Sequence, residues 1–278
     1  MKGRLWSLSL PDQPVRGAFV SLGDDWAELV ASRAYSADQA GLLGQVMVAM
    51  PLLATHLKNP ARMSLQISQA GEVKLLTAQA GTDGALRGLI KSDAPSFDLG
   101  ALSGQLVVTL EPENSNEKYQ GIVALDGDDP AAWLRRYFHQ SEQVETRLIL
   151  CADEHGAQGL MLQAVPGQGE AEGVDWQDAM DAMAVDMLPD EPGEWLSVML
   201  GMDLRVSEQP QTVRIHCPCN ESSVSRMLVG LGQDEVRSIV EEQGSVSVEC
   251  GFCGQEYRFD AARADALFTP PSDDAAVH

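Results

Sequence analysis

Two short stretches, HCPCN at 216–220 and ECGFCG at 249–254, constrain this chain more than any other feature. They hold four of its five cysteines, with 30 residues between the pairs. Four thiolates at about 2.3 Å complete the tetrahedral shell of zinc and leave no open position, so such a site is structural rather than hydrolytic. CxxC is a common zinc-knuckle half, and CxC is a rarer one. The candidate metal ligands are therefore Cys217, Cys219, Cys250 and Cys253. An ion bound there ties residue 217 to residue 253. By analogy with a disulfide, closing that loop removes about 3–4 kcal/mol of unfolded-state entropy. Ligation adds a larger contribution, about 10–16 kcal/mol in zinc-finger peptides. His216 adjoins the first ligand and reads as a neighbour of the site. Cys151, in the strand-like run TRLILCA, reads as a buried small hydrophobe.

Whether the thiols serve metal or redox chemistry depends on where the chain works. The N-terminus MKGRLWSLSLPDQP has too short an apolar run for a signal-peptide core. The most apolar stretch, residues 40–55, is shorter than a membrane span and carries Gln45. The expectation is a soluble, cytoplasmic protein, in which cysteine pairs favour metal or redox chemistry over structural disulfides. Its 19 Lys and Arg against 41 Asp and Glu give a formal net charge of −22. Nucleic acid and anionic membrane surfaces are thus unexpected partners, because both demand clustered cations.

The residue pattern predicts an α+β chain in three parts. Residues 1–165 carry strand-like runs at 15–22, 63–68, 72–78, 104–110, 119–125, 146–152 and 159–165, separated by turn signals. One helix is expected over 37–58, with Leu43, Val46, Met47, Met50, Leu53 and Leu57 on one stripe. Another starts at Asp129-Pro130, an N-cap followed by proline. Residues 166–210 form an acidic, methionine-rich helical linker with 11 acidic residues and one arginine. It opens with the flexible composition PGQGEAEG. Its two helical pieces place Trp176, Met180, Met183 and Met187, then Trp195, Met199 and Met202, at helical spacing. The plain reading is packing on a neighbour. The sharper one adds reversibility, since methionine-lined faces adapt to varied apolar partners. Residues 211–278 form a small cysteine unit with helices near 221–231 and 233–243, strands at 245–249 and 256–260, and a disordered tail. A unit of this size needs a staple.

HCPCNESSVSRMLVGLGQDEVRSIVEEQGSVSVECGFCGQEYRF resembles the zinc-binding C-terminal domain of the 33 kDa heat-shock protein family of redox-regulated bacterial chaperones. YFHQSEQ at 137–143, VRG at 15–17 and YQGIVAL at 119–125 fit the same family. Departures are Pro218, Asn220 and His216. The resemblance implies one zinc ion per chain in a reduced form with little activity. Oxidant would convert the ligands into the disulfides Cys217–Cys219 and Cys250–Cys253, release zinc and unfold the linker. The active form would bind unfolding client proteins without ATP and dimerise. The linker aromatics and methionines named above would cover or form part of the client-binding face, and residues 1–165 would carry client binding and dimerisation. Tyr137 and Phe138 read as core, with Ser141 and Glu142 capping the helix end.

Two other classes are weighed against this one. A zinc-containing thiol–disulfide oxidoreductase would use CGFC at the start of a helix after a strand. Here CGFC lies between two strand-like runs. A zinc-ribbon nucleic-acid module is opposed by four arginines, no lysine and eight acidic residues over 214–260. No GxxxxGK[ST] phosphate loop occurs in the sequence.

Overall fold

The computed structural model describes the chain except residues 1, 12, 56, 58–60, 82, 114–116, 126–128, 166–175, 184–186 and 270–278. The expected flexible opening of the linker and the expected disordered tail after Thr269 lie outside the described residues. The chain divides between His216 and Cys217 into two units.

Among the described residues the first unit contains eleven strands: β1 (Lys2–Leu10), β2 (Val15–Gly23), β3 (Ala61–Ala70), β4 (Val73–Ala80), β5 (Ala85–Ser92), β6 (Gln105–Pro112), β7 (Tyr119–Ala124), β8 (Thr146–Ala152), β9 (Ala157–Ala164), β10 (Arg205–Val206) and β11 (Gln211–Ile215). Its helices are α1 (Asp24–Arg33), α2 (Ala37–Ala54), α3 (Pro130–Tyr137), α4 (Trp176–Asp181) and α5 (Glu194–Leu200). The strands join in the order β7-β6-β3-β4-β5-β11-β1-β2-β9-β8, with β10 also pairing with β1. Neighbours are antiparallel except β5 and β11, whose parallel pairing joins two halves of the sheet. Strand β11, grouped with the cysteine unit in the sequence reading, is thus part of this sheet. The described linker residues also belong to the first unit.

Helix α2 packs on strands of both halves. Ser36 and Gln39 form a reciprocal capping box at its start. The single apolar stripe expected for it is too narrow. From Leu42 to Leu53 only Gln45 is not buried, because sheet lies on more than one side. Two glycines make that approach possible. A Cβ at Gly88 would lie 2.7 Å from Met47 Sδ, and one at Gly159 would lie 2.9 Å from Leu52 Cδ1. Helix α2 is also the one described helix long and apolar enough to cross a membrane; here it is a core helix.

Helix α3 begins as expected: the Asp129 side chain accepts from Ala131 N–H at 2.9 Å, and Pro130 occupies the first turn. A π-turn at 138–142 follows, with Tyr137 and Phe138 buried. Glu142 accepts from the Tyr137 hydroxyl at 3.1 Å rather than capping the backbone.

The second unit comprises α6 (Glu221–Leu231), α7 (Gln233–Gln243), β12 (Ser245–Glu249), β13 (Glu256–Asp260) and α8 (Ala261–Ala266). Strands β12 and β13 pair antiparallel. Leu228, Val236, Val246, Phe259 and Ala264 form its buried core. Leu231, at the end of α6, is exposed.

Candidate metal centre and a covered apolar face

The second unit brings its four cysteines together from two directions. Cys217 and Cys219 precede α6, whose N-cap Asn220 accepts from Ser223 N–H at 2.9 Å and fixes where the helix begins. Cys250 and Cys253 lie in the turn between β12 and β13. Two backbone bonds close that turn, Cys250 N–H to Gln255 O and Gly254 N–H to Cys250 O, both 2.9 Å. Gly254 has φ 76°, a left-handed conformation that favours glycine.

The four sulfurs all lie within 4.8 Å of one another. Cys217 Sγ is 3.6 Å from Cys250 Sγ, and Cys219 Sγ is 3.3 Å from Cys253 Sγ. A tetrahedral ion with sulfur ligands at about 2.3 Å would set them about 3.8 Å apart, so the cluster fits a divalent ion such as zinc. Bound there, such an ion would supply a crosslink between the start of α6 and the β12–β13 turn. The Tyr257 hydroxyl donates to Cys219 Sγ at 3.2 Å. That bond, more than burial, pushes the phenol up to about 12. His216 is not among the clustered ligands.

Left to themselves, the thiols do not titrate alike. Burial pushes Cys217 up. At Cys250 burial acts the same way, but the N–H groups of Cys253 and Phe252 and the neighbouring thiols outweigh it and bring the group down to about 7. At Cys253 burial leads, the N–H of Gln255 opposes, and the neighbouring thiols add, pushing it up to about 12.

A second feature lies in the first unit. Period-2 alternation gives β1, β2, β8 and β9 two apolar faces. Ala18, Val20, Leu148, Leu150 and Met161 join the cluster around α2. Trp6, Leu8, Leu10, Phe19, Leu160 and Leu162 point to the other face, with Cys151. There the linker covers them with Trp176, Met180, Met183, Leu188, Leu196, Leu200, Met202 and Leu204. Trp195 is only partly buried, meeting Phe19 edge-on with ring centroids 6.3 Å apart. Met187 and Met199 point outward. The expected helices are shorter than their methionine spacing suggests, so the inner row in α5 is Leu196 and Leu200.

Polar contacts pin the cover at its edges. Arg147 Nε meets Asp181, with 3.0 Å to Oδ1, and Nη2 donates to Gln177 at 3.2 Å. Asp190 accepts from Gln158 at 3.0 Å and from the Ser21 hydroxyl at 3.3 Å. Arg4 pairs with Glu191. Sequence reasoning missed these arginines and β1 itself; alternation in RLWSLSL was the available signal.

The fold and site thus define an α+β protein with a four-thiol C-terminal unit and an apolar sheet face under an acidic cover. The family model described as Hsp33 protein matches residues 4–260. The 33 kDa chaperonin of Chromobacterium violaceum is 38% identical, with 92% of this chain and 90% of that one covered. Those of Nitrosococcus oceani (92% and 90% covered) and Vibrio cholerae (94% of each) are 35% and 32% identical. A crystal structure of the Thermotoga maritima 33 kDa chaperonin, a heat shock protein 33 homolog, superimposes with a TM-score of 0.79 at 20% identity, covering 95% of this chain and 97% of that one. The chain belongs to the Hsp33 family, a chaperone family.

Proposed function

We propose that this chain is a redox-regulated, ATP-independent holdase of the cytoplasm, zinc-bound and quiet when reduced, and able to hold unfolding proteins when oxidised. The observation that carries this reading is the apolar face of β1, β2 and β9 lying under short acidic helices. Helices of six and seven residues are marginal alone, because isolated helices below about 12–15 residues scarcely form in water. Their order depends on packing, so the cover is the part of the first unit most readily lost.

Cys217, Cys219, Cys250 and Cys253 act as zinc ligands and as the switch. Each disulfide within an arm, Cys217–Cys219 or Cys250–Cys253, forms from two thiols as one hypochlorous acid is reduced to chloride and water. No bond then links the arms across the 30 intervening residues, and the small core cannot hold the unit. Cys217 follows β11, the strand that joins the two halves of the sheet, after a single residue, so unfolding of the cysteine unit reaches the C-terminal end of that strand. The linker then leaves the apolar face, clients bind there, and the active form dimerises. The CGFC pair lies in a hairpin turn rather than at the helix start that an oxidoreductase of that type uses.

The test treats reduced, zinc-loaded protein with hypochlorous acid. Zinc release, the two within-arm disulfides by mass spectrometry, and suppression of client aggregation are expected in the same tubes. Zinc release without a gain in suppression would sink the proposal. Tyr257→Phe removes the hydroxyl bond to Cys219 and is expected to lower zinc affinity about tenfold, since partners of metal ligands are worth about 10–100-fold. Competition against a chromophoric chelator measures it.

A further inference from the structure

We propose that the groove between α3 and β8 binds phosphate-type oxyanions, above all a short polyphosphate chain, and that the occupant competes with the linker for Arg147. Arg135 and Arg136 come from the last turn of α3, His139 from the π-turn and Arg147 from β8. With Glu145 and Asp181 they line an open groove of about 530 Å³. Ligand sites commonly span about 300–1,000 Å³. On a chain with 19 basic and 41 acidic residues, three guanidinium groups on one groove run against the overall charge. Guanidinium is also the side chain best matched to phosphate oxygens.

Arg135 and His139 hold their described partners loosely, and Arg147 divides its donors between two carboxylates. Arg135 is 3.7 Å from Asp129, and Arg136 Nη1 donates to Ala124 O at 3.1 Å. His139 is 3.8 Å from Glu145, which also accepts from Arg147 at 3.3 Å. Arg147 Nε contacts both oxygens of the Asp181 carboxylate, at 3.0 and 3.1 Å. The groove thus already holds two carboxylates, Glu145 and Asp181, and the linker supplies the second. A phosphate chain carries more charge and more acceptor oxygens than one carboxylate. If it takes Arg147, α4 loses the Asp181 and Gln177 contacts together. No Trp, Tyr or Phe lines the groove, so it offers no ring on which a base could stack. A phosphate chain therefore fits better than a nucleotide.

Cys151 reports on the outcome. It lies with Ile149 on the linker-covered face of β8, so loosening the cover exposes it to alkylation. The experiment titrates tripolyphosphate into the reduced, zinc-loaded full chain by calorimetry, with zinc content followed because polyphosphates bind metals. Saturable one-to-one binding that weakens with salt is expected. Arg135→Ala with Arg136→Ala should weaken it at least tenfold, given the strength of charge-assisted bonds. Asp181→Asn should tighten it about two- to fivefold, the worth of an exposed ion pair. Glu145→Gln removes the same charge without touching α4 and should tighten it less. Cys151 alkylation should rise on saturation with zinc retained. Absence of saturable binding or indifference to the arginine pair would overturn the site, and equal affinity for inorganic phosphate would overturn the preference for a chain. Equal tightening by both carboxylate variants, or unchanged Cys151 alkylation, would overturn the competition. Neither readout uses chaperone activity, so failure here leaves the holdase reading standing.

Discussion

Cys250→Ser is expected to abolish stoichiometric zinc binding and unfold the second unit while the sheet of the first stays folded. Among the described residues, five buried side chains with partly buried neighbours form the core of that unit. Ordering each residue's backbone costs about 1–2 kcal/mol, and so small a core cannot offset that cost across the unit. Metal ligation, at about 10–16 kcal/mol in zinc-finger peptides, is the largest single contribution available. Cys250→Ser removes one of the four clustered sulfurs while leaving a side-chain acceptor for the backbone N–H groups of Phe252 and Cys253, so its effect reports on the metal. Hydrogen exchange checks the result. Amides of Leu228, Val236 and Phe259 should lose protection, while those of β1, β2 and β9 keep it. A strong chelator should do the same to the unaltered chain. Retained protection in a zinc-free variant would show that the core suffices without metal.

Legibility followed periodicity and chemistry. The four cysteines were visible because tetrahedral thiolate coordination requires that residue type in grouped pairs, and the structure brings their sulfurs together. All seven strand-like runs correspond to strands, because each keeps a β-branched or alternating core run between turn residues. Strand β5 was missed: Arg87, Gly88 and Lys91 interrupt its apolar pattern, and Gly88 is there to admit Met47. Helix α1 was missed because Gly23 gives it no side-chain cap and only Trp26 and Val30 are buried. Strand β11 was assigned to the wrong side of the unit boundary. Its partners β1 and β5 are distant in sequence, so nothing local declares the pairing. The width of the α2 apolar surface and the outward turn of Met199 likewise depend on what packs against each helix.

Leu196→Asp is expected to release the linker without oxidation and make the reduced protein suppress aggregation. Leu196 is 0% exposed on the inner side of α5, over the apolar face of the sheet. An unpaired carboxylate at that depth costs several kcal/mol after relaxation. Helix α5 has seven residues and no side-chain N-cap, so little besides its packing keeps it ordered. The variant should therefore lose the cover rather than bury the charge. Zinc content should be unchanged, since the cysteines are untouched, and Cys151 alkylation should rise at least tenfold. Val198→Asp places the same charge on the same helix at a position 73% exposed, and should change neither quantity. The pair separates the effect of added charge from the effect of uncovering. Aggregation suppression with zinc retained would assign client binding to the face of Trp6, Phe19 and Leu160 and leave oxidation only the task of exposing it. An uncovered but inactive Leu196→Asp protein would instead place client binding on a surface that only the unfolded cysteine unit or the linker itself provides.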